Sequence, residues 1–319
     1  MSIITTFIFN AIHVSTSFLY GCTGEIITEK SGHLNLGIPG VMCVGALGGC
    51  LGVSLLGECP TDPSFGTRLL FILIPVLMAM LFGAAMGVLY SFLTVSLRSN
   101  QNITGLAITT FGIGLYNFYI NKMDKSNFSA VSRIYSALFT FENPNPFTQI
   151  FLSYGALVYL AIAIAIVAAL VLNKTRVGLH LRAVGESPAT ADAAGINVTV
   201  YRYLATVIGS AIAAIGGLFY VMDYSSGNIE YVIDAMGWLA VALVIFSLWK
   251  PGIAIVGSIF FAAFYILPNY VNVSFAMNDL LKGVPYLVTI VVLIITSMRK
   301  RREDQPPASL GTNYFREDR

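Results

Sequence analysis

The sequence predicts an all-α, polytopic membrane protein with about nine transmembrane helices (eight to ten) and one short helix outside the bilayer. Three observations lead there. Of the 319 residues, 56% are hydrophobic and only 11% charged, against about 25% charged in an average soluble domain. The charges are clustered: none occurs over 69–97, 143–173, 203–222 or 283–298, and about 20 mostly apolar residues cross the hydrocarbon as a helix. The alternation expected of a transmembrane barrel strand is missing.

Taken in order, residues 3–22 form the first span. "LYGC", ending at Cys22, faintly suggests a lipoprotein cleavage site, but no lysine or arginine precedes Lys30, so the basic start of a signal peptide is absent and the segment is expected to be retained. Residues 23–40 form a loop or re-enter the membrane. Further spans follow at 37–56, 69–97, 102–120, 148–172, 204–222, 236–249, 253–272 and 284–298. The third is long enough to tilt or kink at Pro75. The seventh is short and Gly-flanked, the kind of span in which transporters place binding sites. Residues 1–298 thus make one membrane domain. The tail, 299–319, is too polar to span, and its arginine cluster suits anionic headgroups. The four cysteines have no metal-ligand spacing with histidine, and Cys43 and Cys50 read as small buried residues.

The 18 lysines and arginines give an orientation. With the loop at 173–203 in the cytoplasm, alternation puts Lys30, Arg98, Lys174, Arg176, Arg182, Arg202, Lys250 and the basic tail inside. Arg68, Lys122, Lys125, Arg133 and Lys282 are left outside. That matches the positive-inside bias, with the N-terminus out and the C-terminus in.

Within the inner loop, 180–202 carries "SPATADAAG". Ser187 suits an N-cap, Pro188 the first helical position and Gly195 the residue after the helix end. Two turns are too few to be stable alone, so this helix needs a surface. It is either a capped connector lying on the membrane or a docking element. Interfacial helices carry bulky apolar anchors, whereas Ala189, Ala191, Ala193 and Ala194 are small, which favours a protein partner, with Arg182 and Glu186 as flanking charges.

"GEIITEKSGHLNLGIPGVMCVGA" (24–46) and "RAVGESPATADAAGIN" (182–197) resemble the two signature regions of ABC-importer permeases for simple sugars, nucleosides and branched-chain amino acids. "GWLAVALVIFSLWKPGIAIVGSIFF" and "VPYLVTIVVLI" resemble later spans of that group. "PPASLGTNYFREDR" resembles the ending of the shorter permease of nucleoside importers. Pro39 and His33 depart from the usual pattern, and "SNQNITGLAITTFGIGLYNF" follows it only in part. The resemblance implies a permease subunit in the bacterial cytoplasmic membrane that moves a small neutral solute, nucleosides first. It implies a cytoplasmic ATPase, a second permease subunit and an extracytoplasmic substrate-binding lipoprotein as partners. Riboflavin or a ribose-like sugar is the alternative cargo, and an ion-coupled secondary transporter the alternative class. The coupling residues under this resemblance are Arg182, Gly185, Glu186, Pro188, Ala193 and Gly195.

The sequence itself carries no phosphate-cradling Gly-x-x-x-x-Gly-Lys-Ser/Thr loop and no Asp, Glu, Lys or Arg in the middle of a span, where proton relays usually need one. Energy is therefore expected from a separate chain. No catalytic residue, cofactor, metal site or nucleic-acid partner is expected. An uncharged solute calls for amides, hydroxyls and aromatic faces. Asn35, Asn102, Thr109 and Phe111 are the candidates, Asn102 and Thr109 being two turns apart on one helical face. Each has a structural counterpart, since Ser, Thr and Asn often bond neighbouring membrane helices and aromatics often just pack.

Overall fold

In the computed structural model, the described residues are 3–123, 127–136, 145–228, 234–271, 275–299 and 302–315. Among them there are thirteen α-helices and no strand. They are α1 (Ile3–Glu29), α2 (Ile38–Leu55), α3 (Phe65–Ser91, continuing as a π-turn to Ser96), α4 (Gln101–Ile120), α5 (Phe128–Tyr135), α6 (Pro146–Leu152) and α7 (Ala156–Lys174). Then come α8 (Arg176–Glu186), α9 (Pro188–Ala193), α10 (Val198–Phe219, with a π-turn to Tyr224), α11 (Asp234–Phe246), α12 (Pro251–Ile266) and α13 (Phe275–Arg299). Seven of these segments are long and apolar enough to cross a membrane. Two shorter apolar stretches, Met236–Phe246 and Leu280–Ile295, lie within α11 and α13.

The centre of the body is α10, packed on α1, α2 and α3. Without a hydrophobic drive between helices in lipid, small residues let backbones meet. A Cβ on Gly24 of α1 would lie 2.2 Å from the Gly209 carbonyl oxygen of α10. The same device seats α4 on α2, where a Cβ on Gly112 would lie 2.4 Å from the Gly40 oxygen.

Four boundaries differ from the sequence expectation. Helix α1 does not stop near Cys22 but runs to Glu29, because its two acids find donors: the Asn35 amide gives Glu25 a 2.8 Å bond and the Trp249 indole donates to Glu29. The expected loop at 23–40 shrinks to a turn over 30–37, in which Ser31, His33 and Asn35 are fully buried. The span expected at 148–172 is divided into α6 and α7 at Gly155, where a Cβ would lie 1.8 Å from the Tyr135 oxygen. Helix α10 begins at Val198, so Arg202 is a buried residue of the span and not of the loop.

Polar side chains pair at both ends of the bundle. At one end Arg302 pairs with Glu186, Lys250 with Asp304, and Asn313 donates to the Arg98 carbonyl. At the other, His13 Nε2 meets Asp223 Oδ1 at 3.0 Å and Asn10 donates to the Tyr270 hydroxyl. The first is called the basic end below.

Candidate coupling face and polar stripe

The short helix at the basic end is built by local rules. Thr175 caps α8 by accepting from the Gly178 amide, 3.1 Å. Ser187 then ends α8 and caps α9, accepting from Thr190 N. Pro188 takes the first position, and Gly195 has φ +83°, a left-handed conformation that favours glycine. Asn197 caps α10 in turn. Six residues of helix cannot stand alone. Ala191 anchors them, buried against Val184 and Val198, with Ile196 and Tyr314 alongside. Ala191 therefore faces inward, while Ala189, Thr190, Ala193, Ala194 and Gly195 form an exposed face of small side chains. A partner's groove can approach the backbone closely there.

The remaining coupling candidates take other positions. Pro188 is half-buried. Gly185 is buried, and a Cβ on it would lie 2.3 Å from the Lys30 oxygen, so it is a close-packing position against the α1–α2 turn. Glu186 is exposed and paired with Arg302. Arg182 is half-buried and turned away from the α9 face into a basic cavity.

Sequence reasoning missed the tail. Residues 302–314 do not merely trail along headgroups; they cross the basic end as a strap. Ser309 N donates to the Gly185 oxygen at 3.0 Å and Gly311 N to the Gly32 oxygen at 3.3 Å. The Thr312 oxygen accepts from Arg202, 3.2 Å, and from Gln101. Asn313 donates to the Arg98 and Ser99 oxygens, and the Tyr314 hydroxyl donates to Asp192 at 2.8 Å. One strap thus ties α8, α9, α10, the α1–α2 turn and the α3–α4 turn. Beneath it His33 bonds Thr206 through Nδ1, 2.9 Å. Burial, and then the Arg202 charge, push His33 down to about 3, so its ring is neutral. The available signal was the uncharged run between Asp304 and Arg316 in an otherwise charged tail.

Helix α4 carries the solute-path candidates, and the structure divides them. Thr109 is buried and its hydroxyl donates to the Leu36 oxygen, 2.8 Å. Asn35 is also buried, its side-chain oxygen accepting from Gly37 N at 2.9 Å. Thr109 thus holds the α1–α2 turn against α4, whereas Asn35 braces that turn from within and ties it to Glu25 of α1. Asn102 and Phe111, by contrast, are exposed. Asn102, Thr110 and Asn117 are exposed along one side of α4, with Gly114 and the exposed Leu106 between them and Phe111 beside them, so this side is more polar than the outward sides of the other long helices. The outward sides of α3 and α7 carry Leu73, Leu77 and Leu81, and Ile166, Val167 and Leu170, as lipid contact demands.

The full sequence matches the family described as "Branched-chain amino acid transport system / permease component" over residues 7–293. It is 30% identical to the putative glucose ABC transporter permease protein TsgC13 of Haloferax volcanii, over 96% of both chains. It is 29% identical to the nucleoside ABC transporter permease protein NupC of Lactococcus lactis subsp. cremoris, again over 96% of both. Identity to the guanosine ABC transporter permease protein NupQ of Bacillus subtilis is 28%, over 85% of each chain. No solved structure matches significantly. A multi-pass helical body, two glycine-seated helix pairs and a match across most of the length agree: the chain belongs to the branched-chain amino acid transport system / permease component family.

Proposed function

We propose that this permease is one of two membrane subunits of an ABC importer for nucleosides, with its basic end in the cytoplasm and its N-terminus outside. The single observation that carries this reading is the outward face of α9 and the turn that ends it: five small exposed residues held from behind by Ala191 and Tyr314. A motor chain that grips α9 moves α8 with it. Because Gly185 touches the Lys30 oxygen and Ser309, the push reaches the α1–α2 turn, and Leu34 N, bonded to Gln101 at 2.8 Å, passes it to α4. A rigid-body shift of this kind is how alternating access is achieved.

The Asn102 and Asn117 amides are costly to expose to hydrocarbon, whereas the Thr110 hydroxyl already bonds the Leu106 oxygen. A second permease subunit facing α4 across a polar path removes that cost. Amides, a hydroxyl and the Phe111 ring suit a neutral nucleoside, whose base offers a π face. Uptake then needs an ATPase on the cytoplasmic side and a solute-delivering lipoprotein outside. The similarity to a putative glucose permease keeps a neutral sugar as the second reading. The test is uptake of labelled guanosine and glucose by vesicles containing the permease pair with and without its ATPase. Guanosine accumulation only with ATPase and ATP is expected. Accumulation without the ATPase overturns the reading, and glucose in place of guanosine overturns the cargo.

A further inference from the structure

The basic cavity into which Arg182 turns, of about 480 Å³, opens beside the coupling helices but away from the α9 face. Lys30, Arg182, Lys250 and Arg302 line it, and Glu186 is the one acid among the described lining residues. Glu186 is taken by Arg302, and Lys250 by Asp304. The Lys30 ammonium has no ion-pair or hydrogen-bond partner among the described residues, and the Arg182 Nε is buried without one. Burial, partly offset by Glu186, and then the Arg182 and Lys250 charges push Lys30 down to about 8. Uncompensated like charges around one cavity are expensive unless an anion enters.

The position of the cavity says which anion. Lys30 directly follows α1, Lys250 directly precedes α12, and Asn173 lies in the last turn of α7, so the cations sit at headgroup depth. Leu172, Trp249 and Pro251 supply apolar wall. Below it, α7 and α12 pack together and expose Leu170, Val171, Ile253 and Val256 outward, where acyl chains can lie. Basic pockets between helices at a membrane surface are suited to anionic headgroups. We propose that this cavity binds the phosphate of an anionic phospholipid, whose chains run along the α7–α12 groove and whose headgroup braces Arg182 of the coupling segment.

The test is native mass spectrometry of the full chain with phosphatidylglycerol or phosphatidylcholine added separately, and with inorganic phosphate then added to the lipid-bound chain. Phosphatidylglycerol is expected to be retained in preference to phosphatidylcholine. The Lys30→Gln/Lys250→Gln double variant is expected to lose retention roughly thirtyfold, from two charges near the surface. Lys122→Gln, at the opposite end, is expected to leave it unchanged. Should the double variant fail to fold, Lys30→Gln alone is expected to lose about fivefold. Equal retention of both lipids, or unchanged retention in the variants that fold, overturns the proposal. Displacement of the lipid by inorganic phosphate overturns it in favour of a soluble anion. None of these outcomes depends on the ATPase, so the coupling account stands or falls separately.

Discussion

Helices α4 and α7 have nearly the same length, 20 and 19 residues, yet they treat their surroundings in opposite ways. Helix α7 turns Leu160, Ile166, Val167 and Leu170 outward and needs nothing but lipid. Helix α4 turns Asn102, Thr110 and Asn117 outward. It is also fastened by polar bonds from Thr109 and Gln101 to the α1–α2 turn. The contrast teaches that burial inside one subunit does not identify a path. The informative face is the one that is polar and exposed in a chain otherwise clothed in leucine.

The largest effect expected is on the α4 seat. Gly112→Leu has no room where a Cβ already falls 2.4 Å from the Gly40 oxygen, and overpacking costs roughly 1–3 kcal/mol or more. Loss of folded protein, read by size-exclusion profile and melting temperature, is expected. Ala163→Leu on the exposed side of α7 is expected to melt like wild type. Next, Thr110→Leu and Asn117→Leu are expected to cut ATP-driven uptake at least about tenfold, a barrier change of about 1.4 kcal/mol, without lowering the melting temperature. Val167→Leu is expected to change neither. Uptake preserved in the α4 variants breaks the comparison.

A smaller loss is expected for Phe111→Ala. If the ring stacks on a base, removing about 1 kcal/mol or more raises the KM for nucleoside uptake about fivefold, and kcat holds. The smallest effect concerns the turn that seats α4. His33 is depressed to about 3 in the folded state, below its unfolded value of about 6.5. The unfolded chain therefore takes up the proton first as pH falls. Stability contributed by the neutral ring is present above about pH 6.5 and is lost as pH drops toward the folded value. Between about pH 7.5 and about pH 6 the loss is below about 1 kcal/mol, and His33→Gln is expected to flatten that part of the melting-temperature profile.

How much of this was legible in the sequence follows from which forces act locally. The caps of α9 were readable at Ser187, Pro188 and Gly195, because capping is decided within a few residues. The apolar runs were equally readable. The length of α1 was not: Glu25 and Glu29 look like a loop by hydropathy, and their donors, Asn35 and Trp249, come from elsewhere in the chain. Asn102 and Thr109 share a face by angle. They stand about 10 Å apart along the axis, and the α1–α2 turn bonds only Thr109. The strap was hidden for the same reason. Ser309 and Asn313 bond backbone oxygens of Gly185 and Arg98, and no local pattern announces a distant carbonyl.

The most direct test of the central claim, that an external motor drives a polar path along α4, is thiol labelling in sealed vesicles. Thr110→Cys and Val167→Cys would be compared in a Cys59→Ser background, Cys59 being the one native cysteine that is not buried. With the ATPase bound, a membrane-impermeant maleimide is expected to label position 110 at a rate that changes on adding ATP, and to leave position 167 unlabelled. Labelling at 110 that is absent, or that is indifferent to ATP while uptake proceeds, would contradict the account.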